Sequence, residues 1–413
     1  MPSDQKLTWS VNDPQVAAVL DAVTVDELLT LKFQTSPRQP RRAKDWAALL
    51  GHALQALTDG IDLQRTAAVA SQAGSGACAQ RGARLRQDRA AKLLHLLPVL
   101  VFGKQCPGRG LQFDARLNAV LTGDLSSVVQ SALSFAHKGH ARTGAAVGLS
   151  EAGADFSVRD RALHDLGASL SWRRGGITKA AQLFTNNEGH APADVTAREA
   201  LQSKHPAPGE RTDRVTDTPL ATVRNLAAAA ITRFTSAPNA ATIRLNESDV
   251  LHALHQTKSG KAAGLDGLLN EHLFAALGPM AQYRTSDGSE FDVNGADLPV
   301  FVTQFTKLCN VLLAEPELVS DDAMRLWRAS SLSAIGAKRR PIACSGVLRR
   351  LMSSAVARKV RDDLAPQLTA LSQYGVGVSS GVEHVAMQTR LWHELGGTVL
   401  HLDCSNAFNS VVR

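Results

Sequence analysis

The chain has 413 residues, enough for two or three domains; 44% are apolar and 5% aromatic, and the net charge is +7. The basic excess, with a pI of ≈ 9.3, points to an acidic partner, nucleic acid before membrane. Five scattered cysteines (Cys78, Cys106, Cys309, Cys344 and Cys404), with no CxxC pair, indicate neither a disulfide framework nor a zinc site and make a reducing compartment the default. No apolar run reaches the roughly 18 residues of a membrane helix, and the first residues lack a signal-peptide pattern.

Residues 1–110 read as a helical region with a basic segment. Val16, Val19, Leu20 and Val23, then Leu28, Leu29 and Leu31, space as short helices. A basic linker, Pro37 to Arg42, precedes a helix over Asp45 to Leu57 that carries Trp46, Leu49, Leu50, Ala53, Leu54 and Leu57 on one stripe. The small, glycine-containing residues 67–80 read as a flexible loop. Arg81, Arg84, Arg86, Arg89 and Lys92 then lead into an apolar run, Leu93 to Phe102, broken by Pro98. Those cations read either as the solvated face of a core helix or as phosphate contacts. Residues 111–240 alternate short helices with glycine turns and end in a linker over 206–220, rich in proline, threonine and charge.

A third region, 241–413, begins with Asn246-Glu-Ser-Asp249, which has the pattern of a helix N-cap, followed by Val250, Leu251 and Leu254 as a buried side. Lys258-Ser-Gly-Lys261-Ala-Ala-Gly264-Leu-Asp266-Gly267 comes next. It is not a phosphate-cradling P-loop: His255 stands where the first glycine belongs, and Ala262, not Ser or Thr, follows Lys261. Residues 283–298 read as a surface loop whose acids lack calcium-ligand spacing. Phe301, Phe305, Leu308, Cys309 and Leu312 mark an amphipathic helix that stops at Glu315-Pro316.

Residues 325–361 hold ten Lys or Arg and no acid. Within them Ser330 to Ile335 and Arg340 to Cys344 read as two strands joined by the turn Gly336-Ala-Lys338-Arg339, followed by a helix on Leu348, Met352, Val356 and Val360. Gln373-Tyr-Gly375-Val-Gly377-Val-Ser-Ser-Gly381 contains a GxSxG string, but no histidine follows Asp403 to complete a hydrolase triad, and too little chain remains for that fold. A helix over Val382 to Leu395 leads to an apolar strand, Thr398 to Leu402, that delivers Asp403 at its end. An acid there is either a cap or the ligand of a cation that offsets its burial.

Taken together, Lys258 to Gly267, the hairpin ending in Arg340-Pro-Ile, Gln373-Tyr-Gly-Val-Gly377 and Asp403-Cys-Ser-Asn-Ala-Phe408 resemble, in order and spacing, reverse transcriptases of the non-LTR retrotransposon type. The likeness spans about 160–413 and is strongest over 256–413. It departs at Ala263 and Leu265, where prolines are common, and at the hairpin turn, about two residues short. The resemblance implies a mainly α N-terminal region followed by an α+β region, the incomplete right hand of a polymerase with fingers and the start of the palm. It implies Asp403 as a catalytic carboxylate that holds Mg²⁺, with Cys404 beside it; two ions clamp the attacking and leaving oxygens in the complete enzyme. It further implies nucleotide contacts at Lys338, Arg340, Gln373, Gly375, Ala407 and Phe408. Arg340 would meet the triphosphate, and Phe408 would lie under the sugar. Lys258, Lys261, Arg349, Arg350, Arg358 and Lys359 become backbone contacts to an RNA template and DNA primer. Deoxynucleoside triphosphates are the implied substrates, and an intracellular, nuclear location follows from the analogy alone. No Tyr-x-Asp-Asp box is present, so the expectation is an N-terminal part truncated after the first catalytic motif and inactive alone; the alternative is a non-catalytic, basic nucleic-acid-binding remnant.

Overall fold

The structure, a computed structural model, describes residues 7–37, 42–72, 76–103, 111–145, 199, 243–277, 298–335, 340–370 and 373–399, except 8 and 376–377. Among the described residues it is mostly helical, with a two-stranded sheet. Residues 1–137, 241–331 and 344–402 cluster as one compact unit, and 138–240, 332–343 and 403–413 as a second.

The first unit is built on two long helices, α3 (Ala43–Gln72) and α4 (Ala77–Phe102), which pack along each other. The break between them is much shorter than the 67–80 loop expected. Thr66 to Gln72 are mostly Ala, Val, Ser and Gln, and alanine's helix propensity carries α3 through them. Nor does Pro98 break α4. A proline there deletes one N–H bond, and burial of Leu93 and of every residue from His95 to Phe102 holds the turn together.

Short helices cover this pair. Pro14 opens α1 (Pro14–Ala22), where its missing N–H has no helical partner to lose. Thr24 caps α2 (Val25–Thr30) by accepting the Glu27 N–H at 3.1 Å. α5 (Leu111–Leu121) packs on α3 and α4, and α6 (Ser126–Ala145) follows it. From the later chain come α7 (Glu247–Gln256), α8 (Asn270–Leu277), α9 (Val300–Ala314), a 3-10 turn over Pro316–Leu318, and α10 (Asp321–Arg328). The N-cap at Asn246 and the stop of α9 before Pro316 are both as expected, and Asp249 completes a capping box by accepting the Asn246 N–H.

The sequence divides the chain at 110 and 240, yet residues before and after those positions share one core. Trp46 of α3, Phe102 of α4, and Phe301 and Phe305 of α9 are fully buried. The Trp46 indole donates to His272 O of α8 at 2.8 Å and meets Phe102 edge-on at 4.8 Å. Phe102 in turn stacks on the His272 ring at 3.8 Å. Gln87 of α4, also fully buried, donates to Gly60 O and Leu318 O and accepts the Ser320 N–H at 2.7 Å, tying α3 and the start of α10 to one side chain.

β1 (Ser330–Ile335) and β2 (Arg340–Ser345) pair as the expected hairpin, with residues 336–339 between them outside the described residues. α11 (Val347–Ala370) follows, lies along α7 and buries Val347, Leu348, Leu351 and Ala355. α12 (Gly381–Glu394) is the expected helix after the Gln373–Gly381 stretch; of the strand expected over Thr398 to Leu402, Thr398 and Val399 are in no strand and the rest lie outside the described residues. Among the described residues no helix is long and apolar enough to cross a membrane.

Candidate nucleic-acid interface

The loop from Lys258 to Gly267 is held at every side. The Gly260 N–H donates to Glu271 Oε1 at 2.6 Å, and Asn270 Nδ2 donates to Lys258 O at 2.7 Å, so the first turn of α8 anchors one arm. The N-terminal segment clamps the other arm. The Phe33 N–H donates to Leu265 O at 3.0 Å, and Thr35 Oγ1 donates to Gly267 O at 2.5 Å. Gly267 has φ +72°, and a Cβ there would lie 2.9 Å from Thr35 Cγ2. Glycine is the residue that satisfies both constraints.

Between the arms, the loop meets the start of α11. A Cβ on Gly264 would sit 2.7 Å from Gly346 Cα and 2.8 Å from Gly346 N, so the two backbones come this close only because Gly264 has no side chain. Asp266 fills the space beside them. Its Oδ1 accepts the Leu268 N–H at 3.2 Å, and Oδ2 lies 3.3 Å from where a Gly346 Cβ would stand. Burial pushes the Asp266 carboxyl up to about 6, although the Leu268 N–H and the Arg350 guanidinium both favour its ionised form.

Two stretches about 80 residues apart in sequence, the Gly-x-Asp-Gly loop and the helix after the Arg-Pro-Ile hairpin, thus form one junction. Lys258 and Lys261 are exposed on its loop side. On the α11 side the cations differ. Arg349 donates through Nη1 to Arg328 O at 2.7 Å, at the C-terminal end of α10. Arg350 interacts with Asp266, and Lys359 Nζ lies 3.2 Å from Asp249 Oδ2 on α7. Arg358 and Arg361 stand close enough to His252 of α7 to help hold its imidazole below the usual range, behind the larger effect of burial. Arg349, Arg350 and Lys359 therefore also position α11 against its neighbours.

Gln373 and Gly375 form their own turn. The Gly375 N–H donates to Gln373 Oε1 at 2.9 Å, and the Gln373 N–H donates to Leu368 O at 2.8 Å. The Tyr374 ring packs against His384 of α12 at 4.9 Å. Asp403, Cys404, Ala407, Phe408 and Lys338 lie outside the described residues, and Arg340 is described only as a residue of β2. Among the described residues no group of three or more His, Cys, Asp or Glu is placed to hold a metal ion.

Sequence reasoning missed the structural role of Asp266 and the clamp at Phe33 and Thr35. Asp266 stood inside a recognised motif, but nothing local announces a partner at Gly346. Thr35 gives no signal at all, because its contact with Gly267 spans 232 positions. No protein-family model, curated protein or solved structure matches the chain.

Proposed function

We propose that this chain is part of an RNA-directed DNA polymerase of the non-LTR retrotransposon type, and that the loop–α11 junction lies along the backbone of its template–primer duplex. The observation that supports this reading most is the contact of Gly264 with Gly346. It unites the two stretches that the resemblance assigns to the fingers, and it fixes a loop carrying two exposed lysines on the helix that carries Arg349, Arg350 and Arg358. Cations on a rigid support suit sequence-independent phosphate contact, because little ordering remains to be done on binding. Mg²⁺ would be held by Asp403 together with acids of a Tyr-x-Asp-Asp box, which these 413 residues do not contain. The metal would supply the charge that stabilises the transferring phosphoryl group. Arg340 and Phe408 would position the nucleotide.

The test is binding of an RNA–DNA template–primer by the 413-residue chain across a salt series. We expect micromolar affinity or better at low salt, falling steeply with salt. The Lys258→Gln/Lys261→Gln double variant should reduce the slope of log K against log salt by about 2, roughly one per lost phosphate contact. With Mg²⁺ and deoxynucleoside triphosphates, no primer extension is expected from these residues alone. Salt-independent binding, or a slope unchanged in the double variant, would overturn the interface. Extension by the purified chain would overturn the expected inactivity. A Tyr-x-Asp-Asp box in the reading frame beyond the codon for Arg413 would separate a polymerase from a basic binding remnant, which predicts the same salt series.

A further inference from the structure

The junction closes around one carboxyl. Asp266 Oδ1 lies 3.1 Å from where a Gly264 Cβ would stand, and Oδ2 lies 3.3 Å from where a Gly346 Cβ would stand. The group is therefore beside both glycines whose backbones meet. We propose that Asp266 is a positioning residue for nucleic-acid binding: its carboxyl holds the loop docked on the start of α11, and Lys258 and Lys261 offer a preset pair of charges to a phosphate backbone only while the loop is docked. The inference rests on the interface reading above and gives Asp266 no contact of its own with the nucleic acid.

The ends of the loop are tied elsewhere, at Gly260 to Glu271 of α8 and at Gly267 to Thr35. Its tie to α11 is the contact of Gly264 with Gly346. Two glycine backbones bury no side chain, so that contact gains little from the hydrophobic effect. The carboxyl adds what the glycines lack. Through Oδ1 it accepts the Leu268 N–H at 3.2 Å in the turn before α8, and Oδ2 lies against the start of α11. Arg350 of α11 is the charged group that acts on it, and Arg350 Nη2 is buried with no hydrogen-bond partner among the described residues. Arg349 of α11 and His95 of α4 line the cavity beside Asp266. Arg349 donates to Arg328 O, and burial keeps the His95 imidazole neutral near pH 7.

Docking is also linked to a proton. Docked, the carboxyl titrates at about 6, chiefly because it is buried. On a lifted loop, in water, it would titrate near the ordinary value of about 3.9. The docked form therefore holds a proton that the lifted form has lost, so docking is strongest below pH 6 and weakens as pH rises through it. A ligand that needs the docked form binds in proportion to that form's population.

The test uses the full chain and the RNA–DNA template–primer, with circular dichroism to show that each variant is folded. For the parent chain, affinity should fall about threefold or more between pH 5 and 7. Asp266→Asn keeps the shape and an acceptor for the Leu268 N–H but has no proton to lose. Its affinity should match the parent's at pH 5 and stay level to pH 7. Asp266→Ala should bind at least about tenfold more weakly at pH 5. Its slope of log K against log salt should be unchanged, since the phosphate contacts still form once the loop is ordered. That separates it from Lys258→Gln/Lys261→Gln, which lowers the slope. Folded Asp266→Ala that binds like the parent, or pH profiles of the parent and Asp266→Asn that coincide, would overturn the proposal and leave the interface reading standing. A parent chain that binds no duplex overturns both. Should Asp266→Ala fail to fold, the pH profile of Asp266→Asn decides alone.

Discussion

Two stretches of this chain look alike in sequence and differ in what their cations touch. One is the first half of α4, with Arg86, Arg89 and Lys92; the other is the loop–α11 junction, with Lys258, Lys261, Arg349, Arg350, Arg358 and Lys359. In α4 the charges face inward partners. Arg86 Nη2 lies 3.2 Å from Asp59 Oδ2, Arg89 Nε donates to Asp21 Oδ1 at 2.8 Å, and Lys92 Nζ donates to Leu20 O at 3.1 Å. These contacts dock α1 and α3 on α4, and phosphate contact by these three residues is not what their geometry serves. At the junction, partners exist for Arg349, Arg350 and Lys359, but Lys258 and Lys261 stand exposed on a clamped loop. A basic run becomes an available surface only where no acid from elsewhere in the fold reaches it.

The largest expected effects come from pH, because the buried histidines and the buried Asp266 respond with opposite sign. His95 of α4 and His272 beneath the junction are both pushed by burial to about 4. His272 is also fixed in one neutral tautomer: Nδ1 accepts the Leu269 N–H at 3.2 Å, and Nε2 faces Ser36 O at 2.8 Å. The unfolded chain binds a proton at each of these sites below about pH 6.5, and the folded chain does not. Folding stability should therefore fall as pH drops from 6.5 towards 4, by up to about 3 kcal/mol per histidine. Asp266 runs the other way. Its folded carboxyl keeps a proton up to about pH 6, so its contribution is present at low pH and is lost as pH rises through 6. Urea midpoints from pH 4 to 7 should then fall more steeply towards acid in Asp266→Asn than in the parent chain, and less steeply in His95→Phe. Parallel curves for all three would show that these groups are not buried as described.

Next in size is a pair of glycine substitutions. Gly264→Ala places a methyl group 2.7 Å from Gly346 Cα and 3.1 Å from Asp266 Oδ1, and the contact is backbone on backbone, so no flexible side chain can move aside. A loss of about 1–3 kcal/mol in urea unfolding is expected, as for other overpacked sites, together with weaker nucleic-acid binding because the loop must lift. Gly82, in the basic half of α4, has nothing within 4 Å of its would-be Cβ. There alanine should raise stability by about 0.5–1 kcal/mol, through helix propensity alone, and leave binding unchanged. Identical behaviour of the two variants would remove the distinction between a locked junction and an open helix face.

Much of the helical scaffold was legible because its signals are local. The apolar spacing of Phe301, Phe305, Leu308 and Cys309, the N-cap at Asn246 and the hairpin around 336–339 all depend on residues within a few positions of one another. The 67–80 stretch misled because small residues were read as flexible, although alanine favours helix more than any other residue. The joining of the N-terminal helices to the later chain was not legible. It rests on Trp46 with His272, Thr35 with Gly267 and Gln87 with Leu318, contacts separated by 226, 232 and 231 positions. The loop of the candidate interface was recognisable as a motif, but its fit to Gly346 follows from packing alone.

The smallest effect is the most direct check on the opening contrast. Asp21 is held below the usual carboxylate range chiefly by its hydrogen bond to Arg89, so this pair's contribution is present at neutral pH and is lost as pH falls through the range where Asp21 protonates. The Asp21 side chain is 41% exposed and that of Arg89 15%, so solvent screens the interaction strongly. Arg89→Gln should cost only about 0.2–1 kcal/mol at pH 7, and the cost should fade in acid. Its informative readout is the salt series with the RNA–DNA duplex. A cation committed to α1 has no phosphate to lose, so the slope should match that of the parent chain while Lys258→Gln/Lys261→Gln lowers it. If Arg89→Gln instead reduced the slope by about 1, Arg89 would be releasing Asp21 to reach the nucleic acid, and α4 would belong to the interface despite its pairing.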